Sequence, residues 1–234
     1  METRQENLAC SANVLTNISS INKIIKKEAV YYRVIKRGFD IVCSLIGILF
    51  LIPLIAIAFL GNFFSRDRGP VFFIQKRIGL NGKLFRMYKL RTMVVGADKK
   101  LRIYLKEHPE EAKEYEKYKK LNNDPRITKF GKFLRKTSLD EFPQFINVLK
   151  GDMSVVGNRP YLLREKEDMG NYFNDIVKTK CGIFSYWAVN GRNDVTFENR
   201  LKMEQYYSNH RSLTLDIKIL LKAVKVVLFR KGSN

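Results

Sequence analysis

Residues 39–64 read FDIVCSLIGILFLIPLIAIAFLGNFF, and this run decides the architecture. Only Asp40, Ser44 and Asn62 interrupt its apolar character. Its 26 residues would span about 39 Å as a straight helix at ~1.5 Å per residue, enough to cross a bilayer. Pro53 sits in the middle, where it removes a backbone hydrogen bond and kinks a helix. Both flanks are basic, with Arg33, Lys36 and Arg37 before the run and Arg66 and Arg68 after it. The bias of cationic loops toward the cytoplasm therefore asks for both ends on one side. A re-entrant helix-break-helix hairpin meets both observations. The simpler alternative is a straight spanning helix that tolerates its proline. A buried helix of a soluble core fits poorly, because the apolar surface runs all the way round.

Working outward, the 234-residue chain has room for one large domain plus an anchor. Its formal charge of +20 points to nucleic acid, or to an anionic bilayer face together with phosphorylated substrates. Cys10, Cys43 and Cys181 are too few and too scattered for a disulfide framework or a CxxC metal site, so a reducing setting is expected. The first 28 residues are polar, carry Glu2 and Glu6, and show no apolar core or cleavage pattern. They read as a loose tail. The expected organisation is α+β and mainly helical: a polar tail over 1–30, the re-entrant membrane helix over 31–65, and a cytosolic, membrane-associated domain over 66–234.

Within that domain, two β-rich runs flank Asn81-Gly82 and predict a small β-hairpin over about 71–91. Apolar and basic residues partly alternate along it, so one face would pack while the other presents cations. Residues 97–121, broken at Pro109, predict two charged surface helices with no evident chemistry. Asn123-Asp124-Pro125-Arg126 is a turn, and a short basic helix follows over about 129–136. Residues 145–149 read as helix ending near Gly151, and 154–160 as an irregular stretch. Residues 212–229 predict an apolar helix with Lys218, Lys222 and Lys225 on one face, suited to a membrane interface or to an ordinary amphipathic packing role.

The stretch Ser138-Leu139-Asp140-Glu141-Phe142-Pro143 carries the chemistry. One reading is a capping box, Ser138 with Glu141, at a helix start. Pro143 complicates it, and the helix can instead begin at the proline with both acids on the turn before it. The chemical reading is that a carboxylate displaces a phosphoryl group to form an acyl phosphate. Phosphoryl transfer needs charge neutralisation above all, and Mg²⁺ favours one or two carboxylates plus substrate phosphate oxygens. Lys89, Arg91, Arg126, Arg135, Arg159 and Arg192 form a pool of cations able to clamp those oxygens, if the fold gathers them. His108 and His210 are isolated, and no P-loop, HExxH or GxSxG motif is present.

The ordered series Lys36-Arg37-Gly38-Phe39-Asp40, Gly69-Pro70-Val71-Phe72-Phe73, Tyr88-Lys89-Leu90-Arg91-Thr92-Met93, Asn123-Asp124-Pro125-Arg126-Ile127-Thr128, Thr137 to Gln144, Asn147 to Ser154, Val156 to Pro160 and Asn190-Gly191-Arg192 resembles the bacterial sugar transferases, the monotopic polyprenyl-phosphate phosphoglycosyl transferases. The resemblance covers about residues 31–230. It implies a cytosolic active site at the bacterial inner membrane, a Mg²⁺ cofactor held by Asp140 and Glu141, and a ping-pong reaction. Asp140 matches the family nucleophile, which would take a phosphosugar from a UDP-sugar and pass it to undecaprenyl phosphate. Glu141 matches its partner acid. Lys89, Arg135 and Arg159 fall in motifs that look phosphate-binding, and Arg192 in one that looks nucleotide-binding. The 97–121 insert looks most like the subgroup that moves a hexose 1-phosphate. Oligomeric state stays open, a homodimer included. Three departures stand out: Asn158 replaces a proline, Ile52 replaces the serine before Pro53, and Gly182 to Ala188 lacks the usual Gly-Ile-Thr-Gly pattern. The competing classes are a nucleic-acid binder, which lacks any RRM, KH or zinc-finger signature, and a non-catalytic membrane scaffold.

Overall fold

The computed structural model describes residues 2–64, 69–118, 121, 123–191 and 195–229, with side chains from Val30 onward except 64, 114, 117, 118 and 227–229. The chain divides into two compact units, Met1–Phe39 and Asp40–Asn234. In the first, Lys36 Nζ lies 5.7 Å from the Tyr32 ring centroid.

The apolar run is the last part of helix α1 (Glu2–Phe64), which stays helical through Pro53, without the break that the sequence led us to place there. A single buried seam explains the continuity. Asp40, Ser44, Gly47, Leu51, Leu54, Ala58 and Asn62 recur at intervals of three and four, and all are buried. Two small residues let the helix come close: a Cβ on Gly47 would meet the Phe145 ring at 2.3 Å, and one on Gly61 the Phe130 ring at 2.6 Å. Asp40 latches the near end, its Oδ1 accepting from Ser154 Oγ at 2.9 Å and from the Val155 amide at 2.8 Å. The remaining circumference, including Val42, Leu45, Leu49, Phe50, Ile57 and Phe63, is exposed and apolar.

The expected hairpin is present. Strands β1 (Phe72–Ile78) and β2 (Leu84–Leu90) pair antiparallel, with Gln75 opposite Met87 and Phe73 opposite Lys89. Asn81 and Gly82 take positive φ in the connecting turn. Helices α2 (Ala97–Glu107) and α3 (Pro109–Tyr118) follow, divided at Pro109 as expected, then α4 (Lys129–Thr137) and α5 (Gln144–Lys150). Residues 153–156, within and just before the stretch expected to be irregular, form strand β3 (Met153–Val156). After the single turns α6 (Lys166–Met169) and α7 (Phe173–Ile176), β3 pairs in parallel with β4 (Cys181–Phe184), Met153 opposite Cys181. Every residue of β3 is buried, so it shows no alternation for a sequence reading to detect. Helices α8 (Tyr186–Asn190), α9 (Phe197–His210) and α10 (Leu213–Phe229) complete the chain.

Three apolar clusters hold this unit together. One joins Met87, Val148, Met153, Val156, Tyr207 and Ile219; a second joins Ile78, Tyr161, Met169 and Leu201. The third, with Leu51, Leu54, Ala58, Leu90 and Leu134, seats α1 on β2 and α4. On α10, Ile217, Leu221 and Val224 stay exposed beside Lys218, Lys222 and Lys225.

Candidate active site

A cleft of about 2570 Å³ opens between the hairpin, the α2–α3 insert, the α4–α5 corner and the β4–α8 segment. The period of two along the hairpin turns Phe73, Gln75 and Arg77 of β1, with Met87 and Lys89 of β2, toward it.

The acid pair sits where α4 ends. Ser138 closes α4 in a left-handed conformation, φ 57°, and makes no side-chain cap, so the capping-box reading fails. Leu139–Glu141 form a 3₁₀ turn, and α5 starts only after Pro143. A non-glycine residue held at positive φ directly before two acids is the kind of local strain that folds keep at functional positions. Asp140 is 7% exposed and lines the cleft. Burial is the main cause that pushes its carboxyl up to about 6; Lys89 opposes it, the neighbouring Glu141 charge adds to it, and Arg135 opposes it.

Each flanking group is set by a long-range bond. Lys89 Nζ donates to Glu141 Oε1 at 2.8 Å. Asn147, fully buried on α5, pins β2 by accepting from the Tyr88 amide at 3.0 Å and donating to the Arg86 carbonyl at 2.7 Å. Arg135 Nε donates to Thr92 Oγ1 at 2.9 Å. Gly131 makes that approach possible, since a Cβ there would lie 2.0 Å from the Thr92 carbonyl oxygen.

The fold thus brings Lys89, Arg91, Arg126, Arg135 and Arg159 to one cleft with Asp140 and Glu141, while Arg192 lies outside the described residues. Arg91 and Arg126, like Lys89 and Arg135, are engaged with the protein itself. Arg91 Nε donates to the Pro70 carbonyl at 2.5 Å, and its Nη1 to the Met93 carbonyl at 3.2 Å. Arg126 grips Asp124 through Nε at 2.8 Å and Nη2 at 2.6 Å. Burial would raise the Asp124 carboxyl, but those bonds overcome it and hold it below the usual range. Among the described residues no group of three or more His, Cys, Asp and Glu side chains gathers as a metal site. Asp140 and Glu141 are adjacent acids on the cleft wall, and Asp98, Asp124, Glu165 and Asp168 line it elsewhere.

Sequence reasoning missed other lining residues. Asp98, Arg102 and Tyr115 of the insert form one wall, although the insert showed no chemistry in its sequence. Arg77, Trp187 and Arg200 line the far end, with Glu204 beneath. The i,i+4 pair Arg200 and Glu204 looks like an ordinary helix ion pair, and only burial distinguishes it. Of the departures, Asn158 has a buried role: its Nδ2 lies 2.6–2.9 Å from the Ile176 carbonyl, Thr179 Oγ1 and Ser208 Oγ, among which its two N–H groups are shared, and its backbone carbonyl accepts from the Gly182 amide. Ser185 caps α8, accepting from the Ala188 amide at 3.2 Å.

The model of the family described as bacterial sugar transferase matches residues 31–230, which span the whole constellation. The chain belongs to the bacterial sugar transferase family. It is 43% identical over 212 residues to the undecaprenyl-phosphate galactose phosphotransferase of Salmonella typhimurium, covering 91% of this chain and 44% of that protein. It is 43% identical over 200 residues to the galactosyl transferase CpsE of Streptococcus agalactiae, covering 85% of this chain and 43% of CpsE. The exopolysaccharide production protein ExoY of Sinorhizobium fredii is 35% identical over 198 residues, covering 85% of this chain and 87% of ExoY. The chain thus spans less than half the length of the first two relatives. Asp140, Glu141 and the cations of the cleft all fall within the part shared with the sugar transferase family model.

Proposed function

We propose that this bacterial sugar transferase moves a sugar 1-phosphate, of the hexose class, from a UDP-sugar to undecaprenyl phosphate through a phosphosugar covalently held on Asp140. A carboxylate oxygen of Asp140 attacks the sugar-bearing phosphorus, the P–O bond to the nucleotide breaks, and UMP leaves with that electron pair. An oxygen of the lipid phosphate then attacks the same phosphorus and frees the Asp140 carboxylate. Lys89 and Arg135 offset the charge on the transferred group, and Arg159 and Arg192 hold the outer phosphate and the nucleotide. Asp140 and Glu141 would hold Mg²⁺, which takes few carboxylates and completes its shell with substrate oxygens and water, and which would neutralise phosphate charge there.

The observation that carries this reading is a buried, cleft-lining Asp140 under the direct influence of Lys89 and Arg135. The relatives' names supply the substrate class: undecaprenyl phosphate and galactose in one, exopolysaccharide production in another. UMP release from a panel of UDP-sugars, with polyprenyl phosphate and Mg²⁺, tests it. Asp140→Asn should lower release by about a thousandfold or more, whereas Lys113→Ala, an exposed position on α3, should leave it unchanged. Near-normal turnover by the Asn variant would sink the covalent route.

We further infer that the apolar part of α1 lies in the cytoplasmic leaflet of the inner membrane with both of its ends on that side, so that the active site meets the lipid headgroups. Its exposed apolar circumference and a window of mean hydropathy 2.9 support membrane contact. The docking of both ends of its apolar part on the same polar body supports a single side.

A further inference from the structure

At the end of the cleft formed by β1, α8 and α9, buried polar atoms go unmet within the protein. Arg77 donates through Nη1 to the Pro160 carbonyl at 3.1 Å and through Nη2 to Gln75 Oε1 at 2.7 Å, but its buried Nε has no partner. Arg159 Nε and the Trp187 indole Nε1 are likewise buried and without one. Trp187 is 9% exposed, and two guanidinium groups lie near its ring centroid, that of Arg159 at 5.3 Å and that of Arg200 at 4.3 Å. All four residues line the cleft. Native folds rarely leave such donors unmet inside unless something else meets them, and converging guanidinium groups suit a phosphate above other partners.

The strongest charges at this end differ from those at the acid pair. On Asp140 they are those of Lys89, Glu141 and Arg135. Those that act on Arg77 and Arg200 come from Arg159, Arg164, Glu165 and Glu204 among others, and none of them belongs to the first group. Burial first, and then the Arg159 charge, lowers both Arg77 and Arg200 to about 10. Glu204 Oε2 accepts from the Arg159 amide at 3.0 Å and fixes that backbone under the cluster.

We propose that Arg77, Arg159 and Arg200, with the Trp187 indole N–H, form a second phosphate-binding subsite, which takes the phosphate ester that is not under attack. Resting on the transfer reaction above, that group is either the nucleoside-side phosphate of the donor or the headgroup phosphate of the lipid acceptor. A two-substrate phosphoryl transfer must hold such a group while the other phosphorus reacts beside Asp140. Arg159 then works at this subsite rather than on the reacting phosphorus.

Trp187 is the only tryptophan of the chain, so tryptophan emission arises from this subsite. The detergent-solubilised full chain would be titrated with UMP, uridine, inorganic phosphate and a short polyprenyl phosphate. A saturable change with UMP but not uridine assigns the donor phosphate, one with polyprenyl phosphate alone assigns the acceptor, and one with both assigns a subsite used in each half-reaction. Arg77→Gln and Arg200→Gln should each weaken the responding ligand by about tenfold or more, the range for losing a charge-assisted bond, while Lys113→Gln removes the same charge without effect. A response to uridine equal to that to UMP, no response in the wild-type chain, or unchanged affinity in both arginine variants would overturn the subsite. If Arg200→Gln does not fold, the wild-type titration and Arg77→Gln still decide. UMP release run in parallel separates the two readings. Release with a silent Trp187 removes the subsite alone, and a titrating Trp187 without release from any UDP-sugar removes the transfer reaction alone.

Discussion

At the scale of single residues, the proposed attack by Asp140 makes the cost of ionising it govern when chemistry can begin. An attacking carboxylate must be charged, and burial holds this one up to about 6. The rate of UMP release should therefore rise with pH along an acid limb near 6, read from a pH profile at saturating substrate. Lys89 is the charge that most lowers Asp140, so Lys89→Met should move the limb to higher pH as well as reduce the rate. A side chain that merely braced the fold would not move it. The same shift bears on stability. A carboxyl whose folded pKa exceeds its unfolded value binds more protons in the native state, so its contribution is intact below about 4 and is lost as pH rises through about 6. Asp140→Asn should thus raise the unfolding free energy at pH 7.5 by something on the order of 2 kcal/mol, with little effect at pH 4, measured by denaturant unfolding with a chelator present. A dead variant that is also more stable would mark the position as one kept for chemistry rather than for folding.

At the scale of elements, local chemistry predicts local structure well. Asn81-Gly82 marked the hairpin, Pro109 divided α2 from α3, and Pro143 placed the two acids on a turn ahead of α5. What failed to show depends on partners distant in sequence. Strand β3 is four buried residues whose pairing with β4 lies some thirty positions away, and Asp40 looked like a blemish in an apolar helix until Ser154 and Val155 met it. The acid pair was legible because its residue types are unusual together. The Arg77, Trp187 and Arg200 group was not, because each residue alone is ordinary. These long-range joints give their own predictions. Asp40→Ala strands the Ser154 hydroxyl and the Val155 amide and should cost about 1–3 kcal/mol in chemical unfolding. Gly131→Ala drives a methyl into the Thr92 carbonyl, displaces Arg135, and should cost about 1–3 kcal/mol together with a fall in kcat. Gly38→Ala, inside α1 and meeting nothing within 4 Å, should instead cost nothing or stabilise slightly, and serves as the comparison.

At the scale of the whole molecule, the question is how an apolar helix and a body rich in lysine and arginine share one membrane. The seam from Asp40 to Asn62 is about 33 Å long at ~1.5 Å per residue, as long as the hydrocarbon core is thick. Were α1 to cross along the bilayer normal, the body docked along that seam would sit at hydrocarbon depth, and its exposed Lys132 and Lys136 beside α1 would be carried toward lipid tails. The alternative places α1 shallowly, its free circumference in one leaflet and the body in water, with the exposed Ile217, Leu221 and Val224 stripe of α10 available to the same interface. Thiol labelling separates the two. In a chain freed of Cys10, Cys43 and Cys181, single cysteines at Ile35, Phe50 and Val95 sample α1 ahead of its apolar run, the exposed middle of that run and the region beyond the helix. An impermeant maleimide should reach positions 35 and 95 from the cytoplasmic side only, and position 50 from neither side. Labelling of 35 and 95 from opposite faces would mean that the helix spans, and the proposed transfer would then need another route to a lipid acceptor.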